Sequence, residues 1–256
     1  TDDLTRKLAQ ATTKAELEDI YLPFKPKRRT KAMIARELGL EPLALAILAD
    51  RTCDPETMAQ SYITADAPDT KTALNGARDI LTETVSENAD LLARLRDHMR
   101  TNGVLVSKVI EGQETKGQKF SDYFDHSEAV SKVAGHRALA MFRGRNEGVL
   151  TLDLAVEPDA PRGTSRAEMM VAQALAGQLA DGAADRWLKT VATWAWRVKL
   201  SNSLSIDILV ELRERAEEEA ITVFGRNLKD LLLAAPAGNR ATLGLDPGIR
   251  TGVKVA

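Results

Sequence analysis

Apolar residues recur every three or four positions through most of the chain, with charged and polar residues between them. This spacing is typical of amphipathic helices that bury one side. Helix-start signals accompany it: Thr13 and Glu16 have the spacing of a capping box, and Asp54-Pro55 is a common first pair of a helix. The pattern therefore predicts a mainly α-helical protein, built as a multi-helix bundle.

One pair of predicted helices has the pattern of a helix-turn-helix unit. Residues 34–42 supply its first helix and turn, with Gly39 at the turn, and we expect Met33, Ile34 and Leu38 on the buried side. Residues 43–49 contain only Leu, Ala and Ile, whereas a helix that recognises DNA bases needs polar side chains at its exposed start. A buried structural hairpin is predicted, and DNA docking through flanking cations is the alternative.

Two stretches have the composition of strands. Residues 104–110 are rich in valine, and residues 149–156 alternate apolar and polar positions. A predicted helix over residues 136–145 separates them. We expect the two stretches to pair as a small two-stranded β element.

Helices are predicted again over residues 165–199 and 205–224. In the first, four large side chains repeat at steps of four and three and predict a stripe inside the core: Trp187, Val191, Trp194 and Val198. In the second, Glu211 and Arg215 are spaced for an ion pair on the outer face, and Gly225 should end or bend the helix.

Charge and composition narrow the function classes. The 256 residues carry 35 Lys and Arg against 37 Asp and Glu, so any nucleic-acid affinity has to come from local patches. A single cysteine, Cys53, excludes an internal disulfide, and no apolar run reaches the roughly 18 residues that a membrane span needs. We expect a soluble, cytoplasmic protein with no membrane partner.

The densest charge cluster holds six cations and no acid within twelve positions, bordered by Tyr21 and Phe24. Its members are Lys25, Lys27, Arg28, Arg29, Lys31 and Arg36. Positive charge at a helix start is unfavourable by about 0.3–1 kcal/mol per residue, so helix stability does not account for the cluster. We predict that it contacts the phosphate backbone of RNA or DNA; a solvated linker, or one paired with acidic helices, is the alternative.

A second cluster surrounds the predicted helix at residues 136–145: His136, Arg137, Arg143 and Arg145. Its three arginines are further candidates for nucleic-acid binding. Cations near a helix end also stabilise that helix without any ligand, so the alternative is purely structural.

Cofactor and metal motifs give no positive prediction. Gly112 and Gly117 follow a predicted strand, but Gln118 stands where a phosphate loop has its lysine. Histidines are scattered, and no zinc-binding spacing occurs. We expect no cofactor, no metal and no catalytic residue.

Residues 243–256 have the pattern of a strand, an Asp246-Pro247-Gly248 turn and a return strand. The segment resembles the first strand of RNase H-like nucleases of the RuvC and YqgF type, in which an aspartate binds metal; the start of an actin-like ATPase is the competing interpretation. Two-metal chemistry needs several converging carboxylates, so Asp246 is expected to be vestigial, at the start of a truncated α/β domain. Strands without their sheet should pack on a neighbour or be poorly ordered.

With that terminus placed, nearly the whole chain resembles the Tex family of bacterial transcription accessory proteins. The resemblance is carried by the terminus and by residues 16–43, 76–83, 103–109, 119–128 and 136–150. It implies a helical N-terminal region with helix-turn-helix units, then a YqgF-like domain, helix-hairpin-helix motifs and an S1 domain that supplies much of the RNA binding. It also implies a degenerate nuclease-like site.

We divide the chain into residues 1–103 (helical, with the basic linker), 104–160 (small mixed α/β element), 161–240 (long helices) and 241–256 (start of the RNase H-like domain). The leading hypothesis is a non-enzymatic, nucleic-acid-binding scaffold. One alternative is part of a metal-dependent RuvC-like nuclease using Asp246. Another is a protein-interaction module that docks RNA polymerase or ribosome-associated proteins.

Overall fold

The computed structural model describes residues 2–11, 13–25, 29–236, 238–248 and 252–256, and it is mainly α-helical, which confirms the predicted fold class. Its helices are α1 (Asp2–Gln10), α2 (Lys14–Tyr21), α3 (Lys31–Glu37), α4 (Glu41–Ala49), α5 (Pro55–Ala59), α6 (Thr70–Ser86), α7 (Ala89–Asn102), α8 (Gly135–Asn146), α9 (Arg166–Ala176), α10 (Ala183–Trp194) and α11 (Ser201–Leu232). Its strands are β1 (Gly103–Val109), β2 (Asp125–Ala129), β3 (Leu150–Val156), β4 (Leu245–Pro247) and β5 (Val253–Val255). Short 3₁₀ turns occupy Leu22–Phe24, Gln60–Tyr62 and Gln118–Tyr123, and a π-helical turn spans Ala195–Leu200.

The chain packs as two compact units, Thr1–Ala216 and Glu217–Ala256. The first holds the hydrophobic core, which has two main clusters. One joins α7, β1, α8 and the start of α11, and the other joins α3, α4, α5, α6 and α10. The four-part division derived from the sequence stays a prediction.

Helix starts and the first hairpin form where the sequence predicts them. Thr13 and Glu16 make both hydrogen bonds of a capping box, and Asp54 caps α5. Between α3 and α4, Gly39 has a φ of 73°, a conformation that glycine adopts without steric penalty. The hairpin is therefore a local consequence of its capping and turn residues.

The buried side of α3 differs from the prediction. Met33 and Ile34 are exposed, and Ala32 and Ala35 are buried instead. The reason is close packing on α6, where a Cβ added to Gly76 would lie 3.2 Å from the Cβ of Ala35. Only small side chains fit where α3 meets α6 at such short range. The second helix, α4, buries Leu43, Ala44 and Ile47, as predicted.

The β element has three antiparallel strands in the order β2-β1-β3, one more than predicted. Pairing of β1 with β3, Gly103 opposite Val156 through Val109 opposite Leu150, confirms the two predicted strands. The additional strand β2 has the sequence DHSEA, which carries no apolar alternation. It is held by its backbone ladder to β1, which a hydrophobic pattern does not reveal.

The predicted stripe of large side chains is only partly internal. Val191 is buried, but Trp194 is 40% exposed and Val198 is 56% exposed. Trp194 ends the regular helix α10 and lies at the edge of its buried side, which holds Leu188 and Val191. Beyond it, the wider π-helical turn at Ala195–Leu200 shifts the helical register and buries Trp196 and Leu200 in place of Val198. The stripe prediction is therefore wrong beyond Val191.

The long helix α11 runs through Gly225, contrary to the expected end or bend. Glycine in a helix interior costs only about 1 kcal/mol, which flanking helix formers offset. The predicted pair of Glu211 with Arg215 is also replaced. Glu211 accepts hydrogen bonds from Arg100 at 2.9 and 2.8 Å, and Arg215 donates to the carbonyl oxygens of Val130 and Val133.

In the second unit, β4 and β5 form an antiparallel hairpin with Asp246 opposite Lys254. Both strands have exposed side chains, including Leu245, Val253 and Val255. The two predicted strands are confirmed, and packing of this hairpin on a neighbour stays a prediction.

A buried ion cluster joins three helices of the first unit. Arg96 of α7 donates hydrogen bonds to both carboxylate oxygens of Asp19 in α2, and to Asp207 in α11 at 2.9 and 3.2 Å. Arg96 and Asp19 are both buried. Burial lowers the pKa of Arg96, but the bonds to the two aspartates outweigh it and raise that pKa. The cluster therefore stays charged.

Arg96→Ala should lower the free energy of unfolding by about 3–5 kcal/mol, because it leaves the Asp19 carboxylate buried without its cation. Urea denaturation measures the change. Arg94→Ala on the same helix is the matched control: Arg94 is exposed and makes no ion pair among the described residues, so its effect should stay within about 0.5 kcal/mol. Equal effects from the two variants would contradict a stabilising role for the cluster.

Candidate nucleic-acid interface

The basic segment enters α3 through a defined cap. Lys25 follows the Leu22–Phe24 turn, and Thr30 caps α3 by accepting a hydrogen bond from the Met33 amide at 3.1 Å. The predicted site residues Lys27 and Arg28 lie outside the described residues. Described members of the cluster are Lys25, Arg29, Lys31 and Arg36.

Arg36 is held inside the fold by acids. Its Nη1 donates to Glu83 Oε2 at 2.5 Å and its Nε donates to Glu41 Oε1 at 3.2 Å. The hydrogen bond to Glu83 is the main cause of the raised pKa of Arg36. Since Glu83 is buried, with a side chain 5% exposed, this bond ties α3 to α6. For Arg36 the structure therefore shows the alternative given in the sequence analysis, pairing with acidic helices.

The other described cations of the segment are less committed. Arg29 pairs with Glu37 at 2.5 Å, but both side chains are more than half exposed, and such surface pairs contribute about 0–1 kcal/mol. Lys25 and Lys31 are exposed and make no ion pair with any residue that the structure describes. Positive charge is therefore available on Lys25, Arg29 and Lys31.

The second cluster lies on α8 and is largely paired. Arg137 donates from Nε and Nη2 to the two carboxylate oxygens of Glu128 in β2, at 3.0 and 2.5 Å. These hydrogen bonds are the main cause of the lowered pKa of Glu128. Arg143 donates to Glu147 at 2.9 Å, and Lys119 pairs with the same carboxylate at 2.6 Å. Two of the three predicted arginines thus have partners in the fold.

Arg145 differs from its neighbours. Its guanidinium lies 5.5 Å from the centroid of the Phe142 ring, it is exposed, and it makes no ion pair among the described residues. The two clusters also occupy different parts of the unit, since α3 packs on α6 whereas α8 packs on β3. The structure therefore presents two separate basic patches.

Glu83 is the functional neighbour that the sequence analysis missed. It receives Arg36 and also the hydroxyl of Thr30, which donates to Oε1 at 2.9 Å. A signal was present: Glu83 lies three residues after the buried Ile80, on the inward side of α6. An acid at a core position of a helix indicates a buried partner.

Asp246 is exposed in the middle of β4. Within the part of the chain that the structure describes, no group of three or more His, Cys, Asp or Glu side chains could hold a metal ion. Of the described helices, none is long and apolar enough to cross a membrane.

These features define a mainly α-helical region with two basic surface patches. A family model described as Tex central region-like matches residues 50–224. The sequence of this chain is, over its full length, 54% identical to Protein YhgF of Escherichia coli and 50% identical to the transcriptional accessory protein Tex of Neisseria gonorrhoeae. It is 28% identical over 99% of its length to S1 RNA-binding domain-containing protein 1 of Homo sapiens, covering 26% of that protein.

The chain belongs to the Tex family. It spans 34% of the length of the Escherichia coli relative and 33% of the Neisseria gonorrhoeae relative. The resemblance inferred from the sequence is thereby confirmed.

Acid should reveal the pair of Arg137 and Glu128. Folding lowers the pKa of Glu128 from an unfolded-state value of about 4.3. The pair therefore stabilises the folded protein fully above about pH 4.3, and this stabilisation is lost as the pH falls through the lower pKa of Glu128 in the folded protein. Glu128→Gln should therefore reduce the loss of unfolding free energy on acidification, as measured by urea melts from about pH 7 to 3. Glu114→Gln removes an exposed carboxylate without an ion pair among the described residues and is the control. A Glu128→Gln curve parallel to wild type would refute the prediction.

Proposed function

We propose that this region is a non-enzymatic scaffold of a transcription accessory protein that binds RNA or DNA through the phosphate backbone. The observation that carries the proposal is the group of available cations at the start of α3: Lys25 and Lys31 without ion pairs among the described residues, and Arg29 in an exposed pair. Phosphate oxygens are the natural partners of such cations, since binding releases condensed counterions.

The charge balance sets the expected strength of binding. With a net charge of -2, the chain has no general attraction for polyanions, so affinity depends on the local cluster. We expect weak, salt-sensitive binding that tolerates changes in base sequence, because phosphate contacts carry no sequence information. Names of the relatives support this class of partner: one is a transcriptional accessory protein and another an S1 RNA-binding domain-containing protein.

The non-enzymatic part of the proposal rests on Asp246. Its carboxylate is exposed on a two-stranded hairpin, and among the described residues no group of three or more His, Cys, Asp or Glu side chains could hold a metal ion. Phosphoryl transfer by two metal ions needs several carboxylates held together. We therefore assign Asp246 no catalytic role in this region. As a separate part of the proposal, we place the protein in the cytoplasm.

Replacing Lys27, Arg28 and Arg29 by Ala should reduce the slope of log affinity against log salt by up to about 2–3, since each lost phosphate contact contributes about 0.7–0.9 to that slope. Fluorescence anisotropy with labelled RNA and DNA at several salt concentrations measures it. The matched control removes three cations from the second unit by replacing Arg226, Lys229 and Arg240 with Ala. An unchanged slope in the first variant would remove the basic segment from the interface.

A second candidate function is protein docking, and an exposed apolar face of α11 favours it. Phe224 is 67% exposed, and neighbours at helical spacing are exposed as well: Ile221, Leu228, Leu231 and Leu232. Contiguous apolar surface of this kind is typical of interaction sites. We propose the transcription machinery or ribosome-associated proteins as the class of partner.

Phe224→Ser combined with Leu231→Ser should weaken binding to purified RNA polymerase or to ribosomes by about 10-fold or more, because buried aromatic anchors dominate interface energies. Surface plasmon resonance measures the affinities. Arg226→Ser, on the same helix, should change them little. Full binding by the double variant would exclude this face.

A further inference from the structure

A small pocket lies where the start of α3, one side of α6 and the end of α10 meet. Its volume is about 270 Å³, just below the roughly 300–1,000 Å³ usual for sites of whole small-molecule ligands. The side chains that matter for its chemistry are Lys31, Asp79, Glu83, Trp194 and Lys199. All belong to the first compact unit.

Trp194 provides an aromatic wall that is held in place from one side. The Arg78 guanidinium carbon lies 4.1 Å from the centroid of a Trp194 ring, and Arg78 is itself fixed by hydrogen bonds of 2.9 Å to Asn75 and to Asp79. Trp194 nevertheless remains 40% exposed. A large aromatic that is clamped on one face and open at a pocket is suited to stacking.

The charge of the pocket is positive. Lys31 and Lys199 are exposed and make no ion pair with a described residue. Both acids are already engaged, Asp79 with Arg78 and Glu83 with Arg36. Lys199 belongs to the π-helical turn, an irregularity often found at functional sites.

We propose that this pocket binds one unpaired nucleotide of a single-stranded RNA or DNA. The base stacks on Trp194, and Lys31 and Lys199 contact the adjoining phosphates. This inference rests on the proposed function and deepens it by naming the substrate class, because phosphate contacts alone would not need an aromatic wall. A duplex keeps its bases stacked on one another and cannot offer one to Trp194.

The test uses the 256-residue chain and labelled ten-nucleotide RNA and DNA strands, with the corresponding duplexes, in anisotropy titrations at low salt. Trp194→Ala should weaken single-strand binding by about 5- to 150-fold, the range for loss of one base–aromatic stack. Trp194→Tyr should retain most of the affinity. The control is Ile206→Ala, which removes an exposed apolar side chain that does not line the pocket.

Lys199→Ala provides a second variant that keeps the fold. Lys199 is exposed and makes no ion pair with a described residue, so its removal should leave the urea midpoint nearly unchanged. The slope of log affinity against log salt for single strands should fall by about 0.7, the effect of one lost phosphate contact. A Lys199 that contacts no phosphate would leave that slope unchanged. Circular dichroism establishes that each variant is folded.

Unchanged single-strand affinity in folded Trp194→Ala, together with an unchanged salt slope in folded Lys199→Ala, would overturn the pocket as a nucleotide site. If replacing Lys27, Arg28 and Arg29 still reduced the slope of log affinity against log salt, the proposed function would stand without the pocket. Equal affinity for duplex and single strand would also overturn the inference. The inference would fail as well if an acidic peptide of the same charge bound with equal affinity and lost that affinity in Trp194→Ala. No binding of wild type to any strand would overturn both proposals.

Discussion

The carboxylate of Glu83 joins both ends of α3 to α6. One oxygen accepts from Thr30, which caps the helix, and the other accepts from Arg36 in its last turn. Helix α3 has seven residues and directs mainly small alanines inward, so apolar burial contributes little to its position. A buried carboxylate, in turn, requires its donors. These two hydrogen bonds therefore fix both ends of α3, and with its start they fix Lys31, which lines the pocket beside Glu83.

Local signals predicted the parts of the fold that local chemistry determines. Capping residues such as Thr13 and Asp54 satisfy donors a few positions away, so their spacing is visible in the sequence. Strand β2 is different, because DHSEA is stabilised by its backbone ladder to β1, far away in the chain. The exposure of Val198 was equally hidden, since this residue lies in the π-helical turn and no spacing rule predicts such a turn.

In the candidate site, too, the sequence shows the local feature, the positive charges, but not the distant acids that pair with them. The cluster of cations was evident from composition alone, but which of them would be neutralised was not. Arg36 meets Glu83, 47 positions away, and Arg137 meets Glu128 across the junction of β2 and α8. Sequence reasoning weighed Arg36 and Lys31 alike, whereas the fold uses one as a tether and leaves the other exposed.

The π-helical turn between α10 and α11 also separates two rotational phases. A regular α-helix advances about 100° per residue. If α10 and α11 formed one uninterrupted helix, the residues that α11 buries would determine the direction in which Trp194 points. The wider turn breaks that relation, and Trp194 points outward while Leu204 and Ile208 remain in the core. Deleting one residue from the turn would restore a single phase. The aromatic wall could then face outward only at the expense of the packing of α11, so one extra residue lets surface chemistry and core packing vary independently.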